Sequence, residues 1–512
     1  MIYNVIKENM YFDSVTLMLF SSKLNSIAGI NQAAVMMGTD HNKSLMKASG
    51  TLDEKYWDQI QANDLVIGIN AENQDAIDEA LRVLDEQFAN KQSPSDQGAT
   101  KRVRSLDGAL QEMPSLNVSV ISIPGRFAKV EAMKSLKKGL HVMLFSDNVP
   151  IEDEIELKDF AIEKDLLMMG PDCGTAIIGG VALGFANVVR TGNIGLIAAS
   201  GTGLQEVSVI IDKLGGGISQ ALGTGGRDLK KEVGGRMMLH ILDKLADDPI
   251  TEVIGLISKP PAEEVMAKII KKAQGIQKPI VACFLGGDLE AFTNTNIIGV
   301  STLEEAAVEL VKASKVDSKV SLQDPNEQTW LEQIADSQGT ELRALYTGGT
   351  LAFESLLILS EELGDVYSNI AINPELSLKD PEVSFGHTVL DMGEDYFTDG
   401  RPHPMIDPEL RGERIVKDGL DPKTGVILFD CVLGYGSNDV PEDSIVQAIQ
   451  KVKERRSDVV FVGSVTGTSN DPQSLSRAEG TLQDAGAFIL PTNAQAARFA
   501  LKVLKKRGVI HG

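Results

Sequence analysis

Two short segments place hydroxyls and glycines where an anion could be held. Ser200-Gly201-Thr202-Gly203 follows the apolar run Ile194–Ala199 and precedes a helical pattern with Leu204, Val207, Ile211 and Leu214 on one face. Glycines let successive N–H groups converge at a helix start, where the dipole favours negative charge and two hydroxyls add donors. Thr347-Gly348-Gly349-Thr350 repeats this pattern after Leu342–Tyr346. Two such helix ends facing each other would clamp one phosphoryl group from both sides. Each turn alone also reads as an ordinary strand-to-helix connection, which often needs glycine.

A third segment runs from Gly386-His387-Thr388-Val389-Leu390-Asp391 to Arg401-Pro402-His403-Pro404. It reads as a long polar loop, and long ordered loops are often functional. The chain has six histidines and two lie here. His387 is the candidate to protonate a leaving group or carry a phosphoryl group. Arg401 is a candidate partner for carboxylate or phosphate. The plainer readings are a structural donor for His387 and a surface ion pair for Arg401. Gly434–Asp439, with Gly436 and Asn438, and Thr466–Asp471 follow strands at their carboxyl ends, where open α/β sheets bind ligands. Asn438, Asn470 and Asp471 also suit helix caps. Gly223–Asp228 is a further loop of this kind. Cys173 has no histidine near it in sequence and reads as a buried structural thiol.

The elements that would position these residues alternate short Val/Ile-rich runs with helical patterns, the mark of βα units and parallel sheets. Residues 1–90 read as a small ferredoxin-like or ACT-like α/β domain, 105–190 as a Rossmann-like unit, and 191–315 and 341–512 as diverged copies of one doubly wound unit. Polar stretches at 89–104 and 316–340 read as linkers.

Composition sets limits on function. The 512 residues carry 49 basic and 72 acidic side chains, a formal net charge of −23. So acidic a chain repels phosphate backbones and anionic lipid heads, which argues against nucleic-acid and membrane partners. Small anionic substrates would have to be held by local backbone donors. Three cysteines far apart give no zinc spacing or disulfide framework, and no metal site is expected. Without a signal-like or membrane-length apolar run, the expected location is the cytoplasm.

These segments together resemble the ligase scaffold of succinyl-CoA synthetase. Val118–Gly174, ending in Gly170-Pro171-Asp172-Cys173-Gly174, resembles the later part of its CoA-binding domain. Ile194–Thr202 with Gly223–Asp228 resembles the first ligase domain, and 341–505 the second. The whole chain, and Gly386–Pro404 most specifically, resembles the FdrA family of acyl-CoA-synthetase-like proteins. The resemblance implies a Rossmann-like CoA-binding-type domain, two flavodoxin-like ligase domains and assembly into oligomers with other subunits. It also implies transfer through an acyl phosphate, with phosphate as co-substrate and Ser200–Gly203 and Thr347–Thr350 as its binding turns. Succinyl-CoA synthetases carry a phosphorylated histidine after the strand corresponding to Ile280–Leu285, whereas this chain reads Leu285-Gly286-Gly287-Asp288-Leu289. No nucleotide-binding domain is visible, and the glycine-rich half of the CoA-binding domain is not recognisable. FdrA proteins are associated with oxamate carbamoyltransferase, which interconverts oxalurate plus phosphate with oxamate plus carbamoyl phosphate. That reaction needs neither nucleotide nor phosphohistidine. The alternatives are an acyl-CoA ligase that uses His387, and a scaffold or regulatory subunit.

Overall fold

The computed structural model describes residues 1–8, 10, 12, 14–92, 103, 105–316, 318, 320–324, 326–335, 337–399 and 401–510. The chain forms two units, one of residues 1–103 with Asp399–Pro402, the other of the remainder. The linker expected at 89–104 falls largely outside the described residues, and a helix runs on to Gln92.

In the first unit β1 (Ile2–Lys7), α1 (Ser14–Asn25), β2 (Ile30–Met37), α2 (Asp40–Ala48), β3 (Leu65–Ala71) and α3 (Gln74–Gln92) alternate. The sheet order is β1-β3-β2, with both pairings antiparallel. One face packs Leu17, Phe20 and Leu24 of α1 and Ile77, Leu84 and Phe88 of α3 on Val35, Ile67 and Ile69. Met46, Leu52 and Ile60 cover Ala34 and Val66 on the other face. Among the described residues the sheet is one strand short of the ferredoxin-like sandwich expected for 1–90.

The second unit opens with α4 (Leu106–Glu112), β4 (Val118–Ile121), α5 (Gly125–Lys137), β5 (His141–Leu144), α6 (Ile151–Glu163) and β6 (Met168–Met169), a three-stranded parallel sheet. The next sheet begins within the block expected to end at 190. The hairpin β7 (Thr175–Ile178) and β8 (Val181–Gly184) belongs with β9 (Thr191–Ala198), β10 (Ile218–Gly223), β11 (Val253–Ser258), β12 (Ile280–Phe284) and β13 (Ile297–Val300). Its order is β13-β12-β11-β9-β10-β7-β8. Helices α7 (Gly201–Lys213), α8 (Arg236–Asp247), α9 (Glu263–Ala273) and α10 (Leu303–Ala313) cover it.

The stretch at 316–340, expected as linker, contains α11 (Glu327–Gln333), whose Trp330 packs on Phe488 and Phe499. The last sheet comprises β14 (Glu341–Tyr346), β15 (Val366–Ser368), β16 (His387–Asp391), β17 (Thr424–Val432), β18 (Val460–Thr466) and β19 (Ala487–Leu490). Its order is β15-β16-β14-β17-β18-β19, and all pairings are parallel. Its helices are α12 (Gly349–Leu363), α13 (Asp395–Thr398), α14 (Glu409–Leu420), α15 (Glu442–Lys453), α16 (Leu475–Asp484) and α17 (Asn493–Lys506).

Leaving aside the hairpin and the short edge strand β15, both sheets place their first strand between the second and third. Each therefore has a switch point, where ligands of such sheets bind beyond the strand ends. β11, β12 and β17 are buried on both faces, which explains their unbroken apolar runs. One core joins the two copies, running from Ile194, Val207 and Leu310 through Leu351, Leu356 and Leu359 to Phe499 and Val503.

Candidate functional site

The two glycine–hydroxyl turns meet. Ser200 caps α7 by accepting the Gly203 N–H at 3.0 Å. Its Oγ lies 2.6 Å from Thr350 Oγ1, and the Thr350 N–H donates to Thr202 Oγ1 at 3.3 Å. Two helix N-termini at the switch points of equivalent sheets are thereby locked end to end. This corrects the expected clamp: hydroxyls 2.6 Å apart leave no room for a phosphoryl group between Ser200 and Thr350. The N–H groups of Gly201, Thr202 and Gly349 find no acceptor among the described residues, and all three residues are partly exposed. An anion would therefore sit beside the junction rather than within it.

The second turn is occupied by the protein's own anion. Asp430, at the end of β17, accepts from Thr347 N at 2.9 Å, Thr347 Oγ1 at 2.9 Å and Gly348 N at 2.8 Å. Arg411 of α14 donates to the same carboxylate at 2.7 Å. Thr347 and Gly348 were expected as phosphate donors. Their donors are committed to a buried ion pair that ties β14 to β17 and α14.

Next to this pair stands a second carboxyl that is not so bound. Asp391 ends β16 and is 5% exposed. Burial pushes its pKa up to about 7; the Gly393 N–H and the Lys259 charge pull the other way, while Glu394 and Asp430 add to the rise. Lys259 follows β11 and lies 4.8 Å from the centre of the Phe353 ring. His403 comes close to the same carboxyl beside Gly393, and burial brings its pKa down to about 4. Two glycines make this approach possible. A Cβ on Gly349 would lie 2.4 Å from Asp391 Oδ2, and one on Gly393 2.5 Å from His403 Nε2. A cavity of about 460 Å³ opens at the ends of β12 and β13, lined by Gly286, Gly287, Glu354 and Arg498 among others.

The other expected residues stand in different surroundings. His387 is not in a loop. It opens β16 at the amino edge of the sheet, roughly 13 Å of strand before Asp391. Its Nδ1 accepts the Leu342 N–H at 3.1 Å, and burial lowers its basicity, so it is a structural acceptor. Arg401 is exposed and groups with the first unit. Asn438 holds the loop that carries His403: its N–H donates to Met405 O at 2.8 Å and its Nδ2 to Ile406 O at 2.9 Å. Gly436 lies where a Cβ would touch the Phe185 ring at 2.8 Å. Asp471, instead of only capping, accepts from Asn187 Nδ2 and Val188 N at 2.8 and 2.7 Å and stitches the two copies together. Cys173 is buried and its pKa is pushed to about 12, as its structural reading requires.

Asp391 and His403 lie in the segment 386–404 that the sequence marked, though neither was given a role there; Asp430, Arg411 and Lys259 were not singled out from sequence. A carboxylate closing an apolar strand, as in Val426–Asp430 and Val389–Asp391, was the available signal for two of them. Arg411 in Leu410-Arg411-Gly412-Glu413-Arg414 carries none.

Among known proteins, the uncharacterized protein YahF of Escherichia coli (strain K12) is 42% identical over 509 residues, 98% of this chain and 98% of that one. The chain belongs to the YahF family. Parts of this YahF-family chain match broader models: CoA-ligase over 345–503, a CoA-binding domain over 189–286, and the "AllF, heavy metal-associated domain" over 1–104. The CoA-binding match falls in the block expected as the first ligase domain. The alpha subunit of ADP-forming succinate–CoA ligase from Methanothermobacter thermautotrophicus is 29% identical over 188 residues, 36% of this chain and 61% of that subunit. The chain thus spans about three fifths of that subunit. A solved dinucleotide-forming acetyl-coenzyme A synthetase from Ca. Korarchaeum cryptofilum aligns over 78% of this chain and 85% of that one, at 18% identity and a TM-score of 0.34. The heavy metal implied by the first domain's description does not fit its residues: 1–104 contain no cysteine. Among the described residues no group of three His, Cys, Asp or Glu could hold an ion.

Proposed function

We propose that this chain is a subunit of a phosphate-dependent transferase working through an acyl phosphate, and that it interconverts oxalurate plus phosphate with oxamate plus carbamoyl phosphate. The observation that carries the reading is the set of N–H groups of Gly201, Thr202 and Gly349 that find no acceptor among the described residues, at the junction of two helix ends, beside Lys259 and a half-free Asp391. Backbone donors at helix starts hold a phosphate with no net charge of their own, which suits a chain of net charge −23. Oriented phosphate next to a carbonyl turns a two-body attack into a one-body step. The loop Leu285–Leu289 has no histidine, so the reading uses no phosphohistidine relay.

The second reading is an acyl-CoA ligase, favoured by the CoA-ligase and CoA-binding matches. One experiment separates the two. The chain, co-purified with its partner subunits, is mixed with oxalurate and phosphate, and products are followed by phosphorus and carbon NMR. Carbamoyl phosphate and oxamate form without CoA or ATP if the first reading holds. Turnover only after ATP, CoA and a carboxylic acid are added would transfer the site to the ligase reading.

A further inference from the structure

Asp391 and His403 approach each other across Gly393 with hydrogen-bonding capacity to spare. Asp391 Oδ1 accepts the Gly393 N–H at 2.9 Å, while Oδ2 takes no hydrogen bond from any described residue. That free oxygen is aimed at the first turn of α12, 2.4 Å from where a Gly349 Cβ would stand. The backbone settles the tautomer of His403. Its Nδ1 accepts the Met405 N–H at 3.2 Å, so the proton of the neutral ring is on Nε2. Nε2 has no acceptor among the described residues, and a Cβ on Gly393 would lie 2.5 Å from it and 3.2 Å from Asp391 Oδ1. Asn438 pins the loop that presents the ring through Met405 and Ile406. A carboxyl with one open oxygen and a neutral N–H donor therefore stand together beside the start of α12, where the Gly349 N–H finds no acceptor among the described residues.

We propose that Asp391 protonates the leaving nitrogen and that His403 donates its Nε2–H to the carbonyl oxygen as the acyl phosphate forms, an assignment that rests on the phosphate-dependent reading above. A phosphate oxygen bonds to the carbamoyl carbon of R–NH–CO–NH2. The carbonyl oxygen gains negative charge and receives the His403 hydrogen bond. The bond to R–NH then breaks, its electron pair going to nitrogen, and Asp391 gives that nitrogen its proton. The products are R–NH2, singly protonated carbamoyl phosphate and the Asp391 carboxylate. Carbamoyl phosphate loses its proton to water and Asp391 regains one, so the cycle balances. The reverse reaction needs the Asp391 carboxylate as base.

The test is the pH dependence of both directions in the purified complex. In wild type, kcat/KM for phosphorolysis falls and that for the reverse reaction rises as pH climbs through about 7, the value to which burial lifts Asp391. Asp391→Asn lowers both by roughly 100-fold or more and flattens both limbs. His403→Ala lowers kcat by about 100-fold with little change in KM, and His403→Gln, which keeps an N–H near the Nε2 position, restores most of it. Matching circular dichroism spectra keep the variants comparable. An Asp391→Asn enzyme that retains rate and limbs, or a His403→Gln enzyme no better than His403→Ala, overturns the assignment and leaves the reading standing. Wild-type complex that forms no acyl phosphate from oxalurate or another acyl donor overturns both.

Discussion

At the residue scale, Thr347 and Gly348 send three donors to Asp430, and Arg411 supplies the matching charge. Asp430 is 0% exposed and Arg411 1%, so the carboxylate is compensated by Arg411 and these donors rather than by water. Removing one member of a buried pair strands the other's charge, which costs about 3–5 kcal/mol. Asp430→Ala should therefore lower unfolding stability by about that much, read as a shift of the urea midpoint. Asp430→Asn should lose less, because its amide oxygen still accepts from the turn. A drop of under about 1 kcal/mol for Asp430→Ala would show that water replaces the carboxylate, and would free the turn for a ligand. This pair also shows where the sequence stopped being readable. The Thr347 turn was visible from its glycines, but the acceptor that takes up its donors lies 83 positions away. No local pattern reports so distant a partner. The misplacement of His387 has a local cause. Polar residues and glycines surround His387-Thr388-Val389-Leu390-Asp391, and a five-residue buried strand inside such a stretch passes for loop.

At the element scale, α7 and α12 are equivalent helices, and their likeness goes beyond the capping turns. Glu206 and Glu354 each stand six residues after the cap, at 2% and 1% exposure. Asn493, the first residue of α17, donates its N–H to Glu206 at 3.0 Å and its Nδ2 to Glu354 at 2.7 Å. Thr466 and the Leu303 N–H serve the remaining oxygens. Strand–turn–helix repeats made the duplication legible, since both copies keep a Val/Ile run, a glycine turn and an apolar helix face. The glutamates were not legible, because a charged residue in a helix ordinarily faces water. Burial raises both carboxyls, that of Glu354 to about 7. A carboxyl whose folded pKa exceeds its unfolded one binds more protons when folded. Its stabilising contribution is then present below about 4.5 and is lost as pH rises through about 7. The stability of wild type relative to Glu354→Gln should therefore fall between those values, by up to about 3 kcal/mol. Thermal unfolding of both proteins across that range measures it. A difference that does not change with pH would mean that its two donors, the Leu303 N–H and Asn493 Nδ2, keep Glu354 ionised at every pH tested.

At the scale of the whole molecule, residues 1–103 carry their own sheet, with cores on both of its faces. Phe12, Phe20 and Phe88 interlock within the larger core at centroid separations of 5.4–5.6 Å. A domain of this size with two apolar faces covered is large enough to fold alone. The fragment 1–92 should accordingly melt cooperatively with mixed helix and strand circular dichroism. Its match to a heavy metal-associated domain makes a sharper test possible. Soft metals bind thiolates and imidazoles in pairs or larger sets, and the first cysteine of this chain is Cys173. Any ligand that binds only the folded form raises the melting midpoint by mass action. Zinc or copper(I) added in excess to fragment 1–92 should therefore leave its midpoint where it was, because the fragment has no cysteine and its described residues bring no group of three His, Cys, Asp or Glu together. A midpoint that climbs with metal concentration would mean that carboxylates or backbone groups assemble a site the folded domain does not display. With an unchanged midpoint, the match of residues 1–104 to that description would rest on something other than a bound ion, and the domain's role in the full chain would be sought at its surface.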